Sequence, residues 1–140
     1  MLKTRIPYRV PYADTDQMAV VYYANYLAYF ERVRNEMLRD AGIPYTEFEA
    51  AGVMLPVIEA HCDYKIPAKY DDLLELQAGF TEIKGCRLKV ENKIYCGDTL
   101  LATGYTRHAF MSSETRRPMR APDFIQNAIE EYIESQAQNL

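Results

Sequence analysis

The chain has 140 residues, of which 49% are hydrophobic and 26% are charged, and this composition predicts a single folded domain over residues 1–140. Its 16 Lys and Arg and 20 Asp and Glu give a net charge of −4, which argues against a general nucleic-acid-binding protein. No apolar run approaches the about 20 residues of a membrane span, and the first residues lack a signal-peptide pattern, so a cytoplasmic protein is expected.

Three cysteines are spread over the chain as Cys62, Cys86 and Cys96, and no Cys-x-x-Cys pair is present. This odd number and wide spacing argue against a zinc or redox motif, so no metal site is predicted. Free thiols are typical of a reducing compartment, which agrees with the expected cytoplasmic location.

The N-terminal part of the chain predicts a strand followed by a long helix. Lys3–Tyr12 is rich in Ile, Val and Tyr, and its two prolines restrict it to an edge strand or bound it. Residues 14–17 are polar and suit a turn or a helix cap. From Tyr23 to Ala41 apolar residues recur every three or four positions, which predicts an amphipathic helix that ends at Gly42.

The rest of the chain predicts a run of strands between two helices. Residues 45–51 are expected to form a short helix, and Pro122 begins a terminal helix that extends to Ile133. Between them the apolar period changes to two, which predicts four strands at 53–64, 73–82, 87–96 and 99–111. Gly97-Asp98 is typical of the turn of a hairpin.

These elements predict an α+β fold. Consecutive strands joined by short turns form antiparallel sheets, and the helices are grouped apart from the run of strands. Ala102 and Gly104 give the last strand a low surface on which a helix can pack closely. An antiparallel sheet wrapped around one long central helix satisfies both patterns.

The two histidines favour a structural role over a metal pair. His61 and His108 lie on predicted strands and lack the helical spacing that would support a shared metal ion. His61 shares a strand face with Glu59 and Asp63, which marks either a polar cleft or a solvated outer face. The chain also contains no Gly-x-Ser-x-Gly turn and no phosphate-binding glycine loop.

The most informative stretch joins a pair of carboxylates to a cluster of tyrosines. Asp14 and Asp16 precede the long helix, and either of them can cap that helix or the turn before it. Asp16, however, lies too far from Tyr23 to be a direct cap of the main helix. Residues 18–21 are apolar and expected to be buried, so Asp16 has the perturbed environment typical of a catalytic group. The chain has 12 Tyr and no Trp, and five of the tyrosines cluster at positions 8, 12, 22, 23 and 26.

Four short blocks carry a family resemblance: Asp14-Thr15-Asp16, Val20-Val21-Tyr22, Ala24-Asn25-Tyr26 and Phe30-Glu31-Arg32. They resemble the signature of hotdog-fold acyl-CoA thioesterases of the 4-hydroxybenzoyl-CoA thioesterase type. They are most similar to the branch associated with the Tol–Pal system of bacteria. A second segment, Asp63–Asp72, resembles the family's Tyr-x-x-Pro-Ala-x-Tyr/Phe-Asp-Asp motif.

By this resemblance, the chain is expected to hydrolyse an acyl-CoA thioester to the free acid and CoA. Asp16 corresponds to the family's catalytic carboxylate, which acts as nucleophile or as general base. The backbone N–H of Tyr23 corresponds to the group that polarises the thioester carbonyl. The predicted substrate-binding residues are Tyr22, Asn25, Tyr26, Lys84 and Arg87.

The resemblance also implies a homodimer or homotetramer with its site at the subunit interface. No cofactor is expected, because CoA is part of the substrate. Lys84 and Arg87 lie near the basic turn that holds CoA in the family, but Gly85 and Cys86 depart from its Arg/Lys run, and solvated turn charges are the simpler interpretation. The chain departs from the family pattern at Ala19, where Gly is frequent, and at Tyr23, where the Tol–Pal branch often has His.

Two alternatives to hydrolysis follow from the same fold. The first is a non-catalytic hotdog protein that binds acyl-CoA or protein partners. The second is a hotdog dehydratase, which pairs a His with a carboxylate and for which His61 is the only candidate. The sequence leaves the acyl group open among short-chain, aryl and longer chains, on CoA or on a carrier protein.

Overall fold

The computed structural model describes residues 1–138, so the last two residues of the predicted domain 1–140 lie outside the described part. A short 3-10 turn, Tyr12–Asp14, precedes the first helix. The helices are α1 (Asn25–Asp40), α2 (Tyr45–Ala50) and α3 (Asp123–Gln138). The strands are β1 (Thr4–Arg9), β2 (Val53–Met54), β3 (Val57–Tyr64), β4 (Leu73–Lys84), β5 (Arg87–Cys96), β6 (Thr99–Ala109) and β7 (Met111–Ser112).

Five strands form one antiparallel sheet in the order β1-β4-β5-β6-β3. Strand β5 has the bounds that its alternating pattern predicts. Its buried side chains are every second residue, namely Leu88, Val90, Asn92 and Ile94. The period-two pattern therefore correctly predicted which face of β5 packs into the core.

Helix α1 lies against this sheet and packs mainly on β4 and β1. The prediction of an antiparallel sheet around one long helix is therefore confirmed. Gly42 follows the helix with φ +79°, the left-handed conformation expected of a C-terminal glycine. The buried face of the helix consists of Tyr26, Tyr29, Phe30, Val33, Met37 and Leu38.

At Gly104 the ring of Phe30 from α1 packs directly against the backbone of β6. A Cβ at this position would lie 2.6 Å from the ring of Phe30 and 2.3 Å from the backbone oxygen of His61. Only a residue without a side chain leaves room for the Phe30 ring, so the low surface predicted on this strand is confirmed.

Helix α3 covers the part of β4 that β1 does not reach. Strand β1 pairs with Leu73–Ala78 only, which leaves the remainder of β4 without a strand on that side. Tyr132 of α3 packs edge-to-face on Phe80 with ring centroids 5.0 Å apart, and its hydroxyl donates to the Ala78 carbonyl at 3.2 Å. The helix therefore protects backbone groups that would otherwise form an open sheet edge.

The structure corrects several predicted boundaries: β1 is shorter than Lys3–Tyr12, β4 ends at Lys84 rather than at residue 82, β6 ends at Ala109 rather than at residue 111, and α3 extends beyond Ile133 to Gln138. The strand predicted over 53–64 is divided at Pro56, because β2 leaves the main sheet to pair with β7 in a separate two-stranded sheet. Helix α1 begins at Asn25 rather than at Tyr23, because residues 22–24 form a turn whose carbonyls accept the first helical N–H groups.

Strand β3 forms the other edge of the sheet. Seven of its eight residues are exposed, and Cys62 is half-buried. An uncovered edge strand presents unpaired backbone groups that can pair with another chain. The exposed side chains include Val57, Ile58 and Tyr64, which is unusual for the surface of an isolated domain.

We predict that Gly104→Ala destabilises the protein by about 1–3 kcal/mol, because the added methyl group overlaps the Phe30 ring. Urea unfolding measures the change. Thr103→Ala, at the neighbouring half-buried position on the opposite face, is the control and should cost less than about 1 kcal/mol. Equal losses in the two variants would show that the close approach of Phe30 is unimportant.

Candidate active site

The turn before α1 presents the carboxylate of Asp16. Residues 15–21 form a closed loop, in which the Asp16 N–H donates to the Val20 backbone carbonyl at 2.9 Å and the Ala19 N–H donates to the Asp16 backbone carbonyl at 3.0 Å. The Met18 N–H donates to Asp16 Oδ1 at 2.8 Å. The second carboxylate oxygen, Oδ2, accepts no hydrogen bond from residues 1–138, so it is free to act on a ligand.

The turn that leads into α1 provides an unsatisfied hydrogen-bond donor. The N–H groups of Asn25 and Tyr26 donate to the carbonyls of Tyr22 and Tyr23, respectively, at 2.9 and 3.2 Å. The Tyr23 N–H itself has no acceptor within the described residues. Because this N–H lies just before the positive end of α1, it is suited to an oxygen that carries negative charge.

Asp16 and Tyr23 both line one cavity of about 220 Å³. Its walls are mostly apolar, and Asp16 is their only carboxylate. The structure therefore brings together the two predicted catalytic residues and Tyr26. The lining residues are Asp16, Met18, Val20, Val21, Tyr23, Tyr26, Tyr64, Lys65, Ile66 and Pro67.

Tyr64 completes the aromatic wall of the cavity. Its ring packs edge-to-face on Tyr26 and on Tyr23, with centroids 4.9 and 6.4 Å apart, and its hydroxyl donates to the Tyr23 carbonyl at 3.0 Å. Burial, followed by the neighbouring Cys62 thiol, raises the pKa of Tyr64 to about 12, so the hydroxyl remains a donor at neutral pH. Sequence reasoning did not single out Tyr64, although it lies in the second block that carried the family resemblance.

Tyr26 is a buried member of the same wall. Its hydroxyl accepts the Ala68 N–H at 3.1 Å, and burial raises its pKa. The tyrosine therefore links the first turn of α1 to the loop after β3 and fixes one side of the cavity.

Two of the predicted substrate-binding residues near Asp16 do not line this cavity. Tyr22 is exposed and packs on Tyr23 with ring centroids 4.8 Å apart. The Asn25 side chain turns back toward the loop, and its Nδ2 donates to the Asp14 carbonyl at 2.9 Å.

Lys84 and Arg87 lie at a different cavity of about 200 Å³, beside the β4–β5 turn. Strand register brings Lys89 and Arg107 to the same cavity, and Glu82 is its only carboxylate. Four cations around one cavity suit a phosphate-bearing ligand. Sequence reasoning missed Lys89 and Arg107, because only the pairing of β5 with β6 places them together.

The expectation that residues 18–21 are buried is wrong for the first half of the segment. Met18 is 77% exposed and Ala19 is also exposed, whereas Val21 is buried. The physical reason is the tight turn, which places residues 18 and 19 at its tip. Ala19 has φ +66°, so this position does adopt the conformation for which glycine is favoured.

Neither histidine lines the cavity of Asp16. The exposed His61 lies 3.1 Å from Asp63 and stacks on Tyr105, which favours the solvated outer face over a polar cleft. His108 is fully buried between Thr106 and the Leu55 carbonyl, and burial lowers its pKa to about 4. Residues 1–138 contain no group of three His, Cys, Asp or Glu side chains arranged to hold a metal ion.

The described helices also bear on membrane association. Within residues 1–138, no helix combines the length and the apolar character that crossing a bilayer requires.

Comparisons with known proteins agree with this architecture. The sequence profile of the thioesterase-like superfamily matches residues 10–129. The acyl-CoA thioester hydrolase YbgC of Escherichia coli O6:H1 is 38% identical over 97 residues, which are 69% of this chain and 72% of that protein.

Solved structures extend the likeness to nearly the whole chain. The hypothetical protein TT1821 from Thermus thermophilus superposes with a TM-score of 0.89 and 32% identity, covering 93% of this chain and 99% of that one. A DHNA-CoA thioesterase from Staphylococcus aureus superposes with a TM-score of 0.87 and 26% identity, covering 99% and 94%. The predicted hotdog fold is confirmed.

We predict that Ala19→Gly stabilises the protein by about 1 kcal/mol, because glycine adopts a positive φ without the strain that alanine carries. Urea unfolding measures the gain. Ala28→Gly, on the exposed face of α1, is the matched control and should lose about 1 kcal/mol. A loss at both positions would contradict the left-handed conformation of residue 19.

Proposed function

The chain belongs to the thioesterase-like superfamily, and on that premise we propose that it is an acyl-CoA thioesterase that produces a free acid and CoA. One observation carries the proposal: Asp16, whose carboxylate keeps a free oxygen, and Tyr23, whose backbone N–H is unsatisfied just before α1, line one largely apolar cavity. A thioester carbonyl needs a group to attack its carbon and a donor for its oxygen, and this cavity offers both.

Asp16 is the proposed catalytic carboxylate. Either its free oxygen attacks the carbonyl carbon to give a mixed anhydride, or it takes a proton from the water that attacks. In both routes the carbon–sulfur bond breaks, CoA leaves as the thiol, and one water molecule is consumed. The hydrogen bond from Met18 N–H to Oδ1 orients the carboxylate and leaves Oδ2 available.

The Tyr23 N–H is the proposed donor to the thioester oxygen. As negative charge develops on that oxygen, a donor already aligned at a helix start stabilises it without reorganisation. Because the donor belongs to the backbone, the side chain at position 23 is free to differ from the His of the Tol–Pal-associated branch. The hydrogen bond from Tyr64 to the Tyr23 carbonyl supports the orientation of this part of the chain.

The apolar walls are proposed to receive the acyl group. Val21, Tyr26, Tyr64 and Ile66 provide contact area but no charge, which suits an aryl ring or a short aliphatic chain. The resemblance to 4-hydroxybenzoyl-CoA thioesterases favours an aryl group, and that to the Tol–Pal branch leaves aliphatic chains open. The YbgC relative is named only as an acyl-CoA thioester hydrolase.

The phosphates of CoA are proposed to bind the basic cavity beside the β4–β5 turn. Lys84 and Arg87 are the residues carried over from the family, and Lys89 and Arg107 strengthen the positive charge around them. A cytoplasmic location, where acyl-CoA is available, completes this proposal.

The protein is further proposed to act as a homodimer that pairs through β3. The exposed edge of this strand and its exposed apolar side chains support pairing with a second copy. Met18, Tyr23 and Tyr64 belong to the cavity yet are exposed in the single chain, which agrees with a site at the subunit interface. Two such dimers can pack further into the homotetramer that the resemblance allows.

We predict that Asp16→Asn lowers kcat/KM for acyl-CoA at least 100-fold while the protein remains folded, because the amide neither attacks the carbonyl nor accepts a proton. Release of free thiol from a panel of aryl, short-chain and longer acyl-CoAs measures the effect. Asp98→Asn, at the exposed β5–β6 turn, is the control and should retain full activity.

An unchanged kcat/KM in folded Asp16→Asn would rule out the proposed role of this residue. If the wild-type chain binds acyl-CoA but releases no thiol, the non-catalytic alternative is correct. Hydration activity that His61→Ala abolishes would instead support the dehydratase.

For assembly, we predict that Ile58→Lys converts the dimer to a monomer of 16.2 kDa, because the charge would be buried where two β3 strands meet. Analytical ultracentrifugation measures the mass. Phe124→Lys on α3 is a matched control, because its ring is 45% exposed and the Ile58 side chain is 46% exposed. If wild type and Ile58→Lys have the same mass, pairing through β3 is contradicted.

A further inference from the structure

We propose that Asp14 is a positioning residue for the candidate active site. Two tyrosine hydroxyls hold the side chain of Asp14, and the backbone carbonyl of Asp14 in turn holds the residues of the site. The inference rests on the proposed function, since Asp16 and Tyr23 are the groups that are positioned. No role was assigned to Tyr8 or Tyr29 by the sequence, and Asp14 was considered only as a cap.

The carboxylate of Asp14 is where two rigid elements meet. Tyr8 from β1 and Tyr29 from α1 both donate to Oδ2, each at 2.7 Å. Tyr29 is only 2% exposed, and the two rings pack together with centroids 4.8 Å apart. Charge-assisted hydrogen bonds of this kind are among the strongest available to a side chain. The carboxylate is therefore fixed to the strand and to the helix at once.

Both tyrosines are suited to remain donors. Burial, and next the hydrogen bond to Asp14, raises the pKa of Tyr29 and the pKa of Tyr8 above the ordinary value for tyrosine. The Arg32 guanidinium lies over the Tyr8 ring at 4.7 Å, and this cation–π contact also holds the ring in place. The contacts that hold Asp14 and the two tyrosines are thus all made within the protein.

The backbone carbonyl of Asp14 holds the turn before α1 by two hydrogen bonds. This carbonyl accepts the Tyr22 N–H and the Asn25 side-chain N–H, both at 2.9 Å. Tyr22 immediately precedes the unsatisfied N–H of Tyr23, and Asp16 follows Asp14 by two residues. One residue therefore fixes both the loop that carries the Asp16 carboxylate and the turn that carries the Tyr23 N–H.

The geometry also separates the roles of the two aspartates, either of which the sequence allows as a cap. The Asp14 side chain has both its hydrogen bonds inside the protein and does not line the cavity. The Asp16 carboxylate lines the cavity and keeps one oxygen free. Asp14 thus acts through other residues, whereas Asp16 is the one that can touch a substrate.

The experiment replaces both tyrosines with phenylalanine, in the full chain. Tyr8→Phe/Tyr29→Phe should lower kcat about 10- to 100-fold with KM changed less than threefold, because a misplacement of about 1 Å at the reacting groups has effects of this size. Asp14→Ala should have the same effect, and Asp14→Asn, which retains an acceptor oxygen, should recover part of the rate. Hydrogen exchange of the Tyr22 amide should become faster in the double variant.

Tyr132→Phe is the matched control, because it removes a buried tyrosine hydroxyl that is hydrogen-bonded to Thr4 at 2.7 Å. Tyr132 does not line the cavity of Asp16. This variant should lower the melting temperature but leave kcat and Tyr22 exchange unchanged. A kcat loss in the double variant no larger than in this control, or unaltered Tyr22 exchange, overturns the proposal. If wild type releases no thiol from acyl-CoA, the proposed function fails, and the exchange measurement alone decides whether Asp14 holds the loop.

Discussion

Burial of the aromatic face of α1 against the sheet is the constraint on which the candidate site depends. Tyr26, Tyr29 and Phe30 lie in the first two turns of the helix and are almost fully buried. Because Phe30 occupies the space that Gly104 leaves open, the helix cannot slide or rotate without a clash. The first turns of the helix are therefore firmly held, and the backbone N–H of Tyr23 just before them keeps its direction.

The loop before α1 is attached to this part of the helix by hydrogen bonds. The tyrosine hydroxyls on Asp14 join the loop to β1 and α1, while the bonds to the Asp14 carbonyl align residues 22–25. The loop has backbone strain at one residue, Ala19, which has a positive φ, and the surrounding hydrogen bonds maintain this conformation. Much of the apolar surface left at this end of the molecule lies beside the free edge of β3, which is consistent with a second copy completing the site.

Local patterns predicted most of the fold, and long-range pairing accounts for most of what they missed. The alternation of β5, the apolar stripe of α1 and the glycine after it depend on residues close in sequence, and all three predictions are confirmed. The pairing of β2 with β7 joins residues more than fifty positions apart, which no local pattern reveals. Exposure of Met18 likewise depends on the geometry of its turn.

The candidate site was predictable to a similar extent. Asp16 and Tyr23 emerged from a short motif, and the structure places them at one cavity. Tyr64, Lys89 and Arg107 come to their cavities through strand register, and the contact of Tyr8 with Asp14 depends on the packing of β1 beside α1. A sequence motif thus indicated the reacting groups, whereas the residues that hold them required the tertiary structure.

The most direct measurement of the central claim is a crystal structure of the Asp16→Asn variant with an acyl-CoA bound. We expect the thioester oxygen to lie about 2.7–3.1 Å from the Tyr23 nitrogen, with the carbonyl carbon facing the side chain at position 16. A thioester bound outside this cavity, or with its oxygen turned away from Tyr23, would contradict the claim.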